Sequence, residues 1–417
     1  MTAAVLSIGT ELSRGELVNT NATWIASQLV SIGFEVFEHV VIDDDRARIA
    51  SALERLAQHA SIIVCTGGLG PTTDDLTTAC VASVIDAKLV RDEASLEHIR
   101  RRFEKLGRTM SESNAKQADF PEGAEILPNP IGTAPGFSVR IGRAIAFFMP
   151  GVPREMMRMF DEQVTPRIRK IAPNDTYQIH LRTFGLPESV VGEKLAGIEA
   201  AHSLPQGTGS VIIGYRAHFP EIEVKVLAKS ASQASARDIA EKATAEVRAR
   251  LGDVIYGEAD DSFASSIGRV LRNRNLTLAI AESCTGGLVG SMLTREPGAS
   301  DFLLLDAVTY ANSAKARVLG VDEDLLRAHG AVSAEVAAAM AEGARRASGS
   351  DVALSLTGIA GPTGGSDEKP VGTVFIGVTG ARGTDVKHRV FAGERSQIQT
   401  LAAYVGLQLL RAYVQAL

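Results

Sequence analysis

The chain has 417 residues, a formal net charge of −6, 45% hydrophobic and 22% charged residues. That length exceeds one ordinary core, so two or three domains are expected, and the composition is that of a folded rather than a disordered chain. The acidic balance offers no global field for nucleic acid, the three isolated cysteines make neither a disulfide framework nor a zinc knuckle, and no apolar run approaches membrane-spanning length.

The opening segment, Met1 to Gly9, has neither the basic region nor the long apolar stretch of a signal peptide, so a reducing cytoplasm is the expected setting. Residues 3–8 read as a strand, Gly9 to Leu12 as a turn, Asn19 to Ile32 as an amphipathic helix and Phe34 to Ile42 as a second strand. Asp43-Asp-Asp45 caps a helix from Arg46 to His59. Ser61 to Thr66 is a buried-type strand, followed by the loop Gly67-Gly-Leu-Gly-Pro-Thr-Thr-Asp-Asp-Leu-Thr77 and another helix. Strands alternating with helices predict a doubly wound, parallel α/β sheet, whose ligand site lies beyond the carboxyl ends of its strands. Residues 91–118 are charged and helical; Arg100-Arg-Arg102 reads as a solvated face, with a nucleotide-phosphate role as the alternative. Pro/Gly-rich turns at 129–136 and 149–156 flank a strand pair, Phe137 to Val139 and Ala144 to Met149, before a helix to about Lys170.

Residues 176–255 change texture: a strand, a helix capped by Gly185 to Ser189, two strands and a long helix from Ala231 to Leu251 predict a small α+β domain. Asp253 to Asp261 is the expected linker. From Phe263 the α/β rhythm returns. The run Leu276 to Ala281 breaks into Glu282-Ser-Cys-Thr-Gly-Gly287 and a helix over Leu288 to Thr294, a strand, a tight turn and a helix. Further strands at Leu304 to Tyr310 and Asp351 to Leu356 end in Ala311-Asn-Ser313, before a helix carrying Lys315, and in the loop Thr357 to Gly365. A strand pair (Gly372 to Val378, Asp385 to Ala392) and a terminal helix close the chain. The expected boundaries are 1–170, 171–257 and 258–417.

Two constellations carry chemistry. In the last domain Ser283 sits at a strand end facing the open N–H groups of a helix. His329 and His388 occupy no catalytic turn, so a Ser-His-Asp triad is not readable; a lysine whose ammonium is desolvated serves as base instead, and Lys315 is placed for it. The Thr357 to Gly365 loop offers backbone N–H groups to an oxyanion or phosphate. On pattern alone Ser283 or Thr285 also reads as a helix N-cap, Lys315 as a surface lysine, and Cys284 as a rival nucleophile or a packing residue. In the first domain the Gly67 loop offers N–H groups to phosphate, and Asp74 and Asp75 can hold Mg²⁺ shared with it, with Asp44 and Glu11 adding hard oxygen ligands from neighbouring loops. N-capping by Asp74 or Asp75 is the competing reading.

These motifs resemble the CinA family. Ala281-Glu-Ser-Cys-Thr-Gly-Gly287, Tyr310-Ala-Asn-Ser-Ala-Lys315, Gly330 to Ser333, Thr357 to Gly365, Lys369 to Thr373 and Gly393-Glu-Arg395 look like its C-terminal domain, the type that deamidates nicotinamide mononucleotide (NMN) to nicotinate mononucleotide and ammonia without a cofactor. The resemblance implies Ser283 as nucleophile, Lys315 as base, and Tyr310, Thr357 and Gly358 as groups that position the amide or stabilise the oxyanion. Thr285, Gly286, Gly287, Gly361 and Arg395 would help bind substrate. Gln399 stands where members of the family often have an arginine. Gly9-Thr-Glu-Leu12, Asn19-Thr-Asn21, the Gly67 loop, Asn129 to Phe137 and Pro150 to Met156 resemble the family's molybdopterin-binding-like domain. That domain implies ADP-ribose hydrolysis to AMP and ribose 5-phosphate with Mg²⁺ or Co²⁺ at Asp75, Asp74, Asp44 and Glu11, and substrate held by Gly67, Gly68, Gly70 and Asn19. The middle stretch resembles the family's KH-like insert, without a basic Gly-x-x-Gly loop for RNA. The family also implies a homodimer. Two alternatives stay open: a pterin- or nucleotide-binding protein of molybdenum-cofactor metabolism, and a scaffold for competence or DNA-damage responses.

Overall fold

The structure is a computed structural model that describes residues 1–172, 174–204 and 209–417. The chain divides into two compact units: Met1–Gln178 with Glu199–Ile212 and Leu227–Lys242, and Ile179–Ile198 with Ile213–Val226 and Ala243–Leu417. The middle stretch expected to form a domain is shared between them. Among the described residues no helix is long and apolar enough to cross a membrane.

In the first unit β1 (Thr2–Ile8), α1 (Thr20–Ser31), β2 (Glu35–Ile42), α2 (Arg46–His59), β3 (Ile62–Thr66) and α3 (Thr77–Val84) follow the expected alternation. Asn19 caps α1 by accepting from Ala22 N at 3.0 Å, and Asp45 caps α2 by accepting from Arg48 N at 3.0 Å. Gly9 to Leu12, expected as a turn, begins the short helix Thr10–Ser13. Then come β4 (Glu125–Leu127), β5 (Gly136–Ile141) and β6 (Ala144–Met149), which complete a six-stranded sheet ordered β2-β1-β3-β6-β5-β4. The sheet is mixed: β2, β1, β3 and β6 are parallel, whereas β5 and β4 join antiparallel. The tight turn after Ile141 leaves no room for a crossover helix, so β5 and β6 form a hairpin.

The sheet is covered on both faces. Alternate residues of β1 enter opposite cores: Ala3 and Val5 meet Ile25 and Leu29 of α1, whereas Ala4, Leu6 and Ile8 meet Leu53 and Leu56 of α2. The Arg100 to Arg102 run is a solvated face. Arg101 pairs with Glu97 at 2.8 Å, and Arg102 reaches the Ile131 carbonyl.

In the second unit the expected linker is instead a strand. Ile255–Glu258 pairs antiparallel with Leu181 to Thr183, and buried Tyr256 packs on Phe263 at a ring distance of 4.5 Å. The unit continues through α4 (Phe263–Asn273), β7 (Leu278–Glu282), α5 (Leu288–Thr294), β8 (Leu303–Val308), α6 (Asn312–Leu319), α7 (Ala334–Ser348), β9 (Val352–Gly358), β10 (Thr373–Gly380), β11 (Gly383–Val390) and α8 (Arg395–Gln415). The sheet order is β8-β7-β9-β10-β11, parallel across β8, β7 and β9 and antiparallel beyond. Leu278 and Ile280 face a core with Phe263, Leu407 and Leu410, while Ala279 and Ala281 face Val336, Met340 and Ala344 of α7. The carboxyl ends of β7, β8 and β9 therefore open on one edge, which is where Ser283, Tyr310 and Thr357 lie.

The glycine loop after β3 is closely fitted. Gly67 has φ +104°, and a Cβ there would lie 2.0 Å from the Ile8 carbonyl oxygen; Gly107, at φ +64°, has open space around it. Gly107→Ala therefore costs roughly 1–3 kcal/mol of backbone strain, and Gly67→Ala costs more because β1 must also move. Thermal denaturation of the two variants gives a larger loss of melting temperature for Gly67→Ala.

Candidate functional sites

Burial of Lys315 governs the site in the second unit. Its Cα sits in the first turn of α6, yet its side chain is only 1% exposed. Its Nζ lies 2.7 Å from the Thr309 carbonyl oxygen, 3.4 Å from the Tyr310 carbonyl oxygen and 2.9 Å from Ser283 Oγ. Among the described residues no carboxylate lies within ion-pair reach of it. A buried ammonium without a counter-ion is costly, so desolvation holds the Lys315 pKa below its ordinary value.

A neutral amine has two N–H bonds and one lone pair. The two carbonyl oxygens can only accept, so they take the N–H bonds. The remaining direction, toward Ser283, is then the lone pair, and the serine hydroxyl donates into it. In the charged form the third N–H would point there instead.

Ser283 is fixed from behind by its own N–H, which donates to the Leu356 carbonyl at 2.9 Å. Gly286 and Gly287, at φ +65° and +97°, turn the chain sharply into α5. Neither Ser283 nor Thr285 caps α5. The end of α5 is served by Glu282, fully buried, whose carboxylate accepts from Gly287 N at 3.0 Å and Gly290 N at 2.8 Å. The Thr285 hydroxyl is buried with no hydrogen-bond partner among the described residues. Burial pushes the Cys284 thiol up to about 12, which removes it as a thiolate nucleophile.

Ser283, Tyr310, Lys315, Thr357, Gly358 and Arg395 line one cavity of about 210 Å³, together with Cys284, Asn312, Ala331, Val332 and Ala360. Ala360 and Arg395 also line a neighbouring space of about 610 Å³ that reaches Gln399. Arg395 donates to the Gly361 carbonyl at 2.6 Å and to the Tyr310 hydroxyl at 2.9 Å. The Thr357 hydroxyl donates to the Ala331 carbonyl at 2.7 Å, so its proton is committed to the scaffold. Gln399 donates to the Cys284 carbonyl at 2.8 Å and thereby ties α8 to the serine turn. Thr285, Gly286, Gly287 and Gly361 shape the site without lining the smaller cavity.

The second site lies in the first unit. Glu11, Asn19, Asp44, Gly67, Gly68, Gly70, Asp74 and Asp75 all line one cavity of about 690 Å³. Two of the four predicted carboxylates are each held to the scaffold through one oxygen. Asp44 accepts from Thr10 N at 2.9 Å and Thr10 Oγ1 at 2.8 Å, and Asp75 accepts from Thr72 N at 2.8 Å and Thr72 Oγ1 at 2.6 Å. Asp74 is exposed. Among the described residues no three His, Cys, Asp or Glu side chains gather as a metal cage would require. The arrangement instead fits a hard cation that takes one or two carboxylates and completes its shell with substrate phosphate and water.

Sequence reasoning missed Asn21 here. Its Nδ2 donates to the Gly151 carbonyl at 2.8 Å, an acceptor that fixes the amide orientation, and its buried Oδ1 has no partner among the described residues. Asn21 is the third residue of the Asn19-Thr-Asn21 motif, which was the available signal.

Three family models match the chain: the CinA C-terminal domain over residues 260–414, a probable molybdopterin binding domain over 4–170, and the damage-inducible protein CinA KH domain over 179–257. A CinA-like protein of Geobacter sulfurreducens is 44% identical over 413 residues, covering 99% of this chain and 98% of its own length. This chain belongs to the CinA family. A CinA-like protein of Desulfosudis oleivorans is 43% identical over 415 residues, 99% of each chain. Among solved structures, a CinA of Thermoplasma acidophilum aligns at a TM-score of 0.37 and 33% identity, covering 40% of this chain and 96% of its own. A CinA superfamily protein of Escherichia coli aligns at 0.36 and 32%, covering 39% and 98%.

All three CinA cysteines are buried, and burial raises the pKa of each thiol. Native protein at pH 8 is therefore expected to show no rapidly reacting thiol toward a disulfide reagent, and three after unfolding in urea. A fast-reacting Cys284 would revive it as the nucleophile.

Proposed function

We propose that the Ser283 site hydrolyses the carboxamide of NMN, giving nicotinate mononucleotide and ammonia. The observation that carries this reading is the Lys315 amine, desolvated and hydrogen-bonded so that its lone pair faces the serine hydroxyl 2.9 Å away. Lys315 removes the Oγ proton as Oγ bonds to the amide carbon, and the carbonyl π electrons move to oxygen. Collapse of that intermediate breaks the C–N bond, and the leaving nitrogen takes the proton from Lys315 and departs as ammonia. Water then loses a proton to Lys315 and attacks the ester. The C–Oγ bond breaks, Ser283 recovers its proton, and the acid is released.

The cavity sizes favour a substrate with a small reacting end and a polar tail. The 210 Å³ cavity is below the usual 300–1,000 Å³ of a whole-ligand site, whereas the adjoining 610 Å³ space has room for a sugar phosphate. Arg395, bonded to two neutral acceptors and standing between the two spaces, supplies a positive charge for that phosphate.

We infer a second, metal-dependent activity in the first unit: cleavage of ADP-ribose to AMP and ribose 5-phosphate. The 690 Å³ cavity suits a nucleotide, and the Gly67 loop lies beside the carboxylates that would hold Mg²⁺ or Co²⁺. The cation would neutralise pyrophosphate charge; Asp74 and Asp75 would hold it, and Gly67, Gly68 and Gly70 would let backbone N–H groups approach the phosphates. Binding of a pterin or nucleotide without hydrolysis is the alternative. It is favoured by the match to a probable molybdopterin binding domain and by the absence of a three-carboxylate set among the described residues. A homodimer in solution is part of the same family-based proposal.

Ammonia release from NMN should fall by about 10³-fold or more in Ser283→Ala and in Lys315→Ala, with the double variant no worse than either. Additive losses would contradict a Ser–Lys pair. In the first unit Asp75→Asn should lower AMP release about 10–100-fold. A pterin retained by the purified protein, with no AMP formed, would decide for the alternative.

A further inference from the structure

Glu282 and Asp306 lie behind the serine turn and take no part in the steps above. Ile280 of β7 pairs with Asp306 of β8 in register, which puts the Glu282 and Asp306 side chains on the same face of the sheet. Both carboxyls converge on Gly290. Glu282 Oε1 accepts from its N–H at 2.8 Å, and a Cβ on Gly290 would lie 1.8 Å from Asp306 Oδ2. Asp306 Oδ1 is buried without a partner among the described residues. Only glycine at 290 lets two carboxyls meet over one peptide.

The clamp reaches the dyad by two routes. The Glu282 side chain binds Gly287 and Gly290, which sets the turn after Ser283. Its main-chain carbonyl accepts from Thr309 N at 2.8 Å, and the Thr309 carbonyl in turn accepts from Lys315.

We propose that Glu282 is the positioning residue of the Ser283–Lys315 pair, and that Asp306 serves it by holding the one proton the two carboxyls share. The proposal rests on Ser283 being the nucleophile. Two carboxyls that converge on one peptide, Glu282 fully buried and Asp306 half-buried, cannot both be charged cheaply, so one stays protonated. Both Glu282 oxygens already accept N–H bonds, so the geometry places the proton on Asp306. Burial first, and then the Glu282 charge, raise the Asp306 carboxyl to about 7.

Among the described residues the surrounding groups do not supply another counter-ion. The β7, β8, β9 and α5 segments contain no further titratable side chain. Cys284 holds its proton in the turn, and Lys315 of α6 is turned to Ser283. Arg272 of α4 is engaged by the Gly298 carbonyl and the Phe302 ring. Arg395 and Arg411 of α8 are engaged by the Gly361 and Ile255 carbonyls.

Below about 7 Asp306 keeps its proton and can donate it to Glu282; above it the two carboxylates repel and the turn loosens. Loss of the Asp306 proton therefore lowers activity as pH rises through that range.

The test combines two readouts on the full chain. The first is a carboxyl-carbon NMR titration of wild type, Asp306→Asn and Glu282→Gln. A carboxyl signal titrating near 7 is expected in wild type and absent in Asp306→Asn, and in Glu282→Gln it should move down toward the ordinary carboxylate range. The second is the pH profile of kcat and KM for ammonia release from NMN. The alkaline fall in kcat should disappear in Asp306→Asn, whose amide still donates to Glu282. Glu282→Gln should lower kcat about 10–100-fold with KM held within about twofold. An Asp306 that titrates in the ordinary carboxylate range, or an alkaline fall that persists in Asp306→Asn, overturns the proposal. If the wild type releases no ammonia, the NMN reading has failed, and the NMR titration alone decides whether the pair shares a proton.

Discussion

The second half of this protein depends on the desolvation of one amine. Lys315 is buried among carbonyl oxygens and a serine hydroxyl, with no carboxylate among the described residues to keep it charged. The fold makes this possible because β7 and β8 end side by side, with Thr309 and Tyr310 carrying the chain from β8 into α6. Their carbonyls point back at the strand end where Ser283 begins its turn. A shift of either strand by one residue would turn these groups to the opposite face and dissolve the contact. The apolar cores on both sides of β7 hold that register.

Much of this arrangement was legible in the sequence, and the reasons are local. Gly286 and Gly287 break an apolar run where only positive φ can follow, so the strand, turn and helix read correctly, and the helix over Leu288 to Thr294 matches at both ends. Lys315 could be placed one turn beyond a strand end. Its burial could not, because the groups that enclose it come from β8 and from the serine turn 32 residues earlier. Glu282 reads as the polar end of a strand; its role depends on Gly290 and Asp306, which only the folded sheet brings to it. Spacing could not show that the Thr357 hydroxyl gives its proton to the Ala331 carbonyl, 26 residues away in the chain.

The first half shows the same division. The β1-α1-β2-α2-β3 alternation and the caps at Asn19 and Asp45 follow from periodicity and short polar side chains. The strand pair between Phe137 and Met149 was anticipated; that it extends the parallel sheet as the antiparallel β5–β6 hairpin depends on pairing with β3, which spacing does not show. The eight predicted residues do gather around one cavity. Spacing along the chain could not reveal that Thr10 and Thr72 each hold one of the predicted carboxylates. The 253–261 stretch looked like a linker for its polar ends, yet Ile255 and Tyr256 are buried and make a strand.

The two halves are chemically distinct centres within one CinA chain. One holds a desolvated amine beside a serine hydroxyl; the other gathers carboxylates around a glycine loop. The central claim is that Lys315 rests as a neutral amine within reach of Ser283, and the most direct measurement is an NMR titration of the Lys315 side chain through its ¹³Cε and ¹⁵Nζ signals. The account predicts a pKa clearly below the ordinary lysine range, moving further when Ser283 is replaced by alanine. A Lys315 that titrates with the exposed lysines and ignores the Ser283 replacement would contradict it.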